Sequence, residues 1–201
     1  MSEEAPPRKR GRPSTMRAEG VTDVAVEAYR RSDPADVSVN AVCRLAGVSK
    51  PSLYREFGSE DGLTKAALDR YAATVLQGMF DMLSEGRGLG PTLDALIAFA
   101  SEDPSMETGC LFYKMRAGKH RLGPMTRARV EEIDAMAREG FAAFLQGAQA
   151  RGELSDRIPV ETGARYLAEQ IALALIQRAA GEDKAAIRAT LELALGVFGR
   201  P

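Results

Sequence analysis

Residues 45–59 read LAGVSKPSLYREFGS. Gly47 stands where a preceding helix needs a left-handed cap. Ser49 is a natural N-cap for a new helix, and Pro51 falls in its first turn, where a missing N–H costs little. Val48 and Leu53 occupy the two positions of a hydrophobic staple, which fixes the angle at which the chain enters the helix. Leu45, Val48, Leu53 and Phe57 read as core positions, and Gly58 ends the helix. Between them lie Lys50, Ser52, Tyr54 and Arg55, all hydrogen-bond donors. This short helix is apolar inward and donor-rich outward.

Outward from that stretch, nearly everything reads as helix. Val39, Val42, Cys43 and Ala46 follow helical spacing from an N-cap at Ser38. Val21, Val24, Ala25 and Ala28 mark an earlier amphipathic helix, stopped at Ser32-Asp33-Pro34. Ser59 caps a fourth helix, with Glu60 and Asp61 favouring its positive end. Its face runs Leu63, Ala67, Tyr71, Val75, Met79, Leu83, until Gly86–Pro91 breaks the chain. Further helices are expected at about 91–101, 105–117, 124–151, 159–180 and 183–199. No alternating strand pattern and no internal repeat is visible, so the expected class is all-α.

Composition sets the outer limits. The 201 residues are 45% hydrophobic, with net charge −1, so overall charge does not decide between nucleic acid and other partners. The two cysteines, Cys43 and Cys110, have no paired spacing, which argues against a disulfide framework and fits a reducing cytoplasm. The N-terminal stretch lacks the apolar segment of a signal peptide. The longest apolar runs fall short of the roughly 20 residues a membrane span needs. The expectation is a cytoplasmic protein with no membrane partner.

Helix, glycine turn, short helix is the geometry of a helix-turn-helix, whose second helix enters the major groove with its N-terminal residues toward base edges. Ser49, Lys50 and Ser52 supply donors at that end. Tyr54, Arg55, the helix end at Ser38, and Lys65 are the candidate phosphate contacts. An ordinary helical hairpin with a solvated face fits the same spacing.

The run SVNAVCRLAGVSKPSLYREFGSEDGL resembles the DNA-binding domain of TetR-family transcriptional regulators. The likeness rests on the AGVS turn, the LYREF run and the closing F-G-S-x-x-G-L, and covers about residues 17–70. It implies about nine helices: a three-helix reading domain at 15–62, then a helical effector-binding and dimerisation domain at 63–201. It also implies a two-fold dimer through the last two helices, about 159–199, and a small-molecule effector that releases a repressor from its double-stranded operator. Two positions depart from the family pattern. Glu60 replaces a lysine that usually follows the serine, and Cys43 replaces a small alanine.

Residues 1–14 read as a disordered arm. The stretch RKRGRPSTMR, residues 8–17, holds five positive charges and no acid. Its core, Arg10-Gly11-Arg12-Pro13, looks like an AT-hook, which lies in a narrow A·T-rich minor groove. The plainer alternative is a solvated basic tail.

On the effector side the candidates are Met79, Phe99, Cys110, Tyr113, Phe144, Tyr166 and Gln170, since pockets are mainly apolar with few polar groups. Cys110 reads either as a buried inert thiol or, if its thiolate is favoured, as a redox or electrophile sensor. His120 is the single histidine. No metal-ligand spacing and no nucleophile–base pair is visible, so neither cofactor nor catalytic residue is expected. Two other readings remain at this stage: an all-α enzyme or carrier with a structural hairpin, and an architectural DNA binder that uses the arm. Replacing Arg10 and Arg12 by alanine is expected to weaken DNA binding. It should also flatten the slope of log affinity against log salt by about 0.9 for each phosphate that the arm no longer neutralises, as titrations at several salt concentrations would show.

Overall fold

The computed structural model describes residues 14–199, with side chains from Ala18 onward. Residues 1–13 of the arm, including Arg10 and Arg12, lie outside the described residues, while Ser14 opens the first helix. Helix α1 (Ser14–Arg31) is followed by α2 (Val39–Ala46) and α3 (Lys50–Phe57). Helix α4 (Glu60–Tyr71) passes through one π-helical turn (Ala72–Leu76) into α5 (Gln77–Ser84). Then come α6 (Leu89–Ser101), α7 (Leu111–Ala117), α8 (Pro124–Ala150), α9 (Val160–Ala179) and α10 (Lys184–Leu195). Counting α4 and α5 as one rod gives nine helices and no strand among the described residues. Helix α8 packs against α4, α5, α7 and α9, while α6, α9 and α10 pack on one another.

Local chemistry sets the helix ends in the first part of the chain. The Ser38, Ser49 and Ser59 hydroxyls accept the backbone N–H of Ala41 (3.2 Å), Ser52 (3.4 Å) and Gly62 (2.9 Å). Gly47 adopts φ 64°, ψ 34°, the left-handed cap that lets α2 end and α3 begin within three residues. Leu53, 2% exposed, anchors α3 to the core formed with Val39, Val42, Leu63 and Ala67. Burial of one leucine of this kind is worth about 1.5–3 kcal/mol. Leu45 departs from the sequence reading. It is 64% exposed, because the inward face of α2 is taken by Val39, Val42 and Cys43.

The π turn also changes which residues are buried. A regular helix would carry the stripe Leu63, Ala67, Tyr71 to Val75. The Gln77 N–H instead bonds the Ala72 carbonyl, five residues back, so the stripe slips by one residue and Leu76 is buried while Val75 is only partly covered. A second departure lies at 105–110. Gly109 has φ +76°, and a Cβ there would stand 2.7 Å from the Ala179 methyl. Only a short turn, Pro104–Met106, forms before α7 starts at Leu111.

Among the described glycines, the tightest position lies at the α3–α4 corner. A Cβ on Gly62 would overlap the carbonyl oxygen of Phe57. Substituting Gly62→Ala should therefore cost about 1–3 kcal/mol, the range for strain at a packed site. Gly20→Ala, at an exposed position of helix α1 with nothing near its Cβ position, should instead add about 0.5–1 kcal/mol. Denaturant midpoints of the two variants would check the opposite signs.

Candidate nucleic-acid interface

The candidate reading surface is built on α3. Ser49 and Lys50 are exposed at its start, Ser52 and Tyr54 are half-buried, and Arg55 is exposed. Ser38, at the start of α2, is also exposed. The Arg55 guanidinium donates to the Ser52 hydroxyl at 3.3 Å. The Tyr54 hydroxyl donates to Glu60 Oε1 at 3.0 Å, and Lys50 Nζ stands 4.0 Å from the same oxygen. Six of the candidate DNA contacts, Ser38, Ser49, Lys50, Ser52, Tyr54 and Arg55, thus sit on α2, α3 and their caps. Lys65 is engaged elsewhere: its ammonium donates to Asp69 Oδ2 at 2.7 Å, and Asp69 also accepts from Arg129 of α8 at 2.6 Å.

Behind the reading helix, α4 is fastened to the rest of the chain. The Asp61 carboxylate accepts the backbone N–H groups of Met125 (2.8 Å) and Thr126 (3.0 Å), and the Thr126 hydroxyl at 2.6 Å. It therefore caps the N-terminus of α8, which opens on Pro124 and has no side-chain cap of its own. A Cβ on Gly123 would overlap that carboxylate. Burial raises the Asp61 carboxyl, but the donors on Thr126 and Met125 outweigh it and leave the pKa below its ordinary 3.8. Arg121 donates to Asp33 at 2.8 Å and to Asp36, both in the α1–α2 connection. Arg30 of α1 donates to the Ser105 carbonyl, and Lys114 donates to the Arg30 carbonyl. These long-range partners carry no periodic signal, and the sequence reading did not find them.

Two of the effector candidates, Phe99 and Phe144, line different pockets among the described residues. Phe99 lines a groove of about 670 Å³ with Thr74, Val75, Met82 and Pro104. Phe144 lines a second pocket of about 330 Å³ beside Phe80 and Arg151. Met79, Cys110 and Tyr113 are buried in the core. The Tyr166 hydroxyl donates to the Ala194 carbonyl at 3.1 Å and ties α9 to α10, and Gln170 is half-buried on α9. Burial pushes the Cys110 thiol up, and the Tyr71 hydroxyl only partly offsets it, so this group favours the protonated form. His120 is exposed. Among the described residues no cluster has the makings of a metal site, and no helix is long and apolar enough to cross a membrane.

The sequence model for bacterial regulatory proteins of the tetR family matches residues 21–67, the segment that holds α2, α3 and most of α1 and α4. Residues 21–67 thus carry the DNA-binding domain of the TetR family. It is 30% identical over 117 residues to the HTH-type transcriptional repressor BdcR of Escherichia coli K12, a match covering 58% of this chain and 59% of that protein. The chain thus aligns with about three fifths of that repressor's length. Its fold is that of a TetR-family regulator from Agrobacterium tumefaciens, with TM-score 0.83 at 16% identity, covering 94% of this chain and all of that one. A cysteine mutant of the TetR-family regulator CifR, solved with 26 base pairs of double-strand operator DNA, matches with TM-score 0.72 at 20% identity over 96% of this chain and all of that one.

The Asp61 cap yields a prediction with a definite sign. A depressed folded-state pKa means stabilisation that is present above the unfolded value and lost as pH falls through the folded one. Asp61→Ala should cost about 1–2 kcal/mol near pH 7. The gap from wild type should narrow as pH falls below about 4. Urea midpoints across that range would measure it.

Proposed function

We propose that this TetR-family protein is a sequence-specific DNA-binding transcriptional regulator, a repressor that a small-molecule effector releases from its operator. One observation carries the reading: α3 is locked inward by Leu53 and capped at both ends, yet presents Ser49, Lys50 and Ser52 together at its exposed N-terminal end. Those donors are assigned to base edges in the major groove. Ser38, Tyr54 and Arg55 are assigned to phosphates, with Arg10 and Arg12 in the adjoining minor groove. Lys65, drawn along α4 to Asp69, is the weakest of the assigned contacts. BdcR is a repressor, and CifR was solved on operator DNA; both support carrying this function over.

Dimerisation is assigned to α9 and α10. Leu173 and Ile176 on α9, Leu193 on α10 and Val197 just beyond it are 46%, 50%, 81% and 56% exposed. The opposite faces of both helices bury Leu167, Ile171, Ile187 and Leu191. A helix apolar on two sides needs two partners, and a second copy is the commonest one in soluble homo-oligomers. The effector is assigned to the groove beside Phe99, whose volume of about 670 Å³ falls in the range for small-molecule sites. Its wall residue Ser105 accepts from Arg30 of α1, which links the groove to the reading domain. An effector changes DNA affinity only through its differential affinity for the two states.

A mobility-shift titration on the protein's own promoter region, with competitor DNA at two salt concentrations, tests the reading. Selective binding is expected. Lys50→Ala or Ser52→Ala should reduce the preference for the site by about 1–3 kcal/mol for each base edge no longer read. Salt-fragile, unselective binding, or none, would overturn it.

A further inference from the structure

Glu60 sits on the reading surface with the sign of charge that a DNA ligand should not meet. It is the first residue of α4, and its side chain is 63% exposed. The Tyr54 hydroxyl at 3.0 Å and Lys50 Nζ at 4.0 Å converge on its Oε1. Lys50 Nζ also lies 5.4 Å from the centroid of the Tyr54 ring. Lysine, tyrosine and carboxylate thus form one set at the α3–α4 corner. A hydroxyl and an ammonium converging on one anionic oxygen is the donor set that holds a phosphate oxygen. The positive end of α4 adds to the preference for an anion there.

Fold stability does not account for the arrangement. An exposed ion pair of this kind is worth little, and α4 already has its cap at Ser59. The neighbouring acid, Asp61, points the other way, onto α8. We propose that Glu60 is an internal substitute for a DNA phosphate, occupying Lys50 and Tyr54 in the free protein and holding operator affinity down. The inference rests on the DNA-reading role of α3. On binding, Tyr54 exchanges the carboxylate for a backbone phosphate and Lys50 exchanges it for acceptors on a base edge, and the exposed carboxylate then faces that phosphate as a like charge. Weak ground-state contacts release readily, so the attenuation acts on affinity rather than on folding.

The test is operator binding by the full-length protein, by fluorescence anisotropy at several salt concentrations, for wild type, Glu60→Gln, Lys50→Gln and the double variant. Glu60→Gln should bind more tightly by about three- to tenfold per reading helix, the scale for removing a unit charge ~6 Å from a phosphate at an effective dielectric of about 40–80. The salt slope should steepen, by up to about 0.9 for each phosphate whose neutralisation the carboxylate no longer opposes. The gain should shrink in the Lys50→Gln background, which a merely structural Glu60 would not produce. Melting temperatures close to wild type would show that the fold is unchanged. If wild type binds its operator and Glu60→Gln binds equally or more weakly, Glu60 is no attenuator. If neither protein binds any DNA selectively, the reading of α3 itself fails.

Discussion

The first turn of α4 is the constraint on which the arrangement depends. Gly62 leaves room for the Phe57 carbonyl, so α3 can end directly against the start of α4. One residue earlier, Asp61 reaches over to cap α8. A single helical turn therefore fixes the reading helix on one side and the long helix of the effector-side bundle on the other. Remove the glycine and the α3–α4 corner must open. Remove the carboxylate and α8 loses the side-chain acceptor for its first N–H groups.

Two further links run parallel to that junction. Arg121 joins the turn before α8 to Asp33 and Asp36, and Arg30 joins α1 to the Ser105 carbonyl. The second link lies at the wall of the groove that holds Phe99. Arg178, 3% exposed on α9, grips the same wall from the other side through the Ser101 and Asp103 carbonyls. The segment from Ser101 to Ser105 is thus held by one arginine from the reading domain and another from the helix assigned to dimerisation. Coupling between distant sites needs such contiguous contacts with more than one arrangement available, and this segment supplies the contiguity.

How much was legible in the sequence follows from how local each feature is. Ser38, Ser49 and Ser59 as caps, and Gly47 as a left-handed terminator, depend on neighbours within four residues and could be read directly. Burial of Leu53 followed from its position in the turn. Leu45 could not be placed, because exposure depends on which face of α2 its neighbours claim. The shift of burial from Val75 to Leu76 arises from one π-helical turn, which leaves no mark in a hydrophobic pattern of period 3.6. Asp61 and Thr126 are 65 residues apart, and no periodicity predicts such a pair. The surroundings of the effector candidates could not be read for a related reason: Phe99 and Phe144 line separate pockets, and neighbouring helices bury Met79, Cys110 and Tyr113.

The central claim is that the outward end of α3 lies in a major groove of duplex DNA. Guanine N7 lies on the floor of that groove, so dimethyl sulfate footprinting of the bound operator tests the claim directly. Protection at guanines in two successive major grooves on one face, centred about 10 base pairs apart, is the predicted result. Selective binding that leaves every guanine N7 in the site as reactive as in free DNA would contradict it.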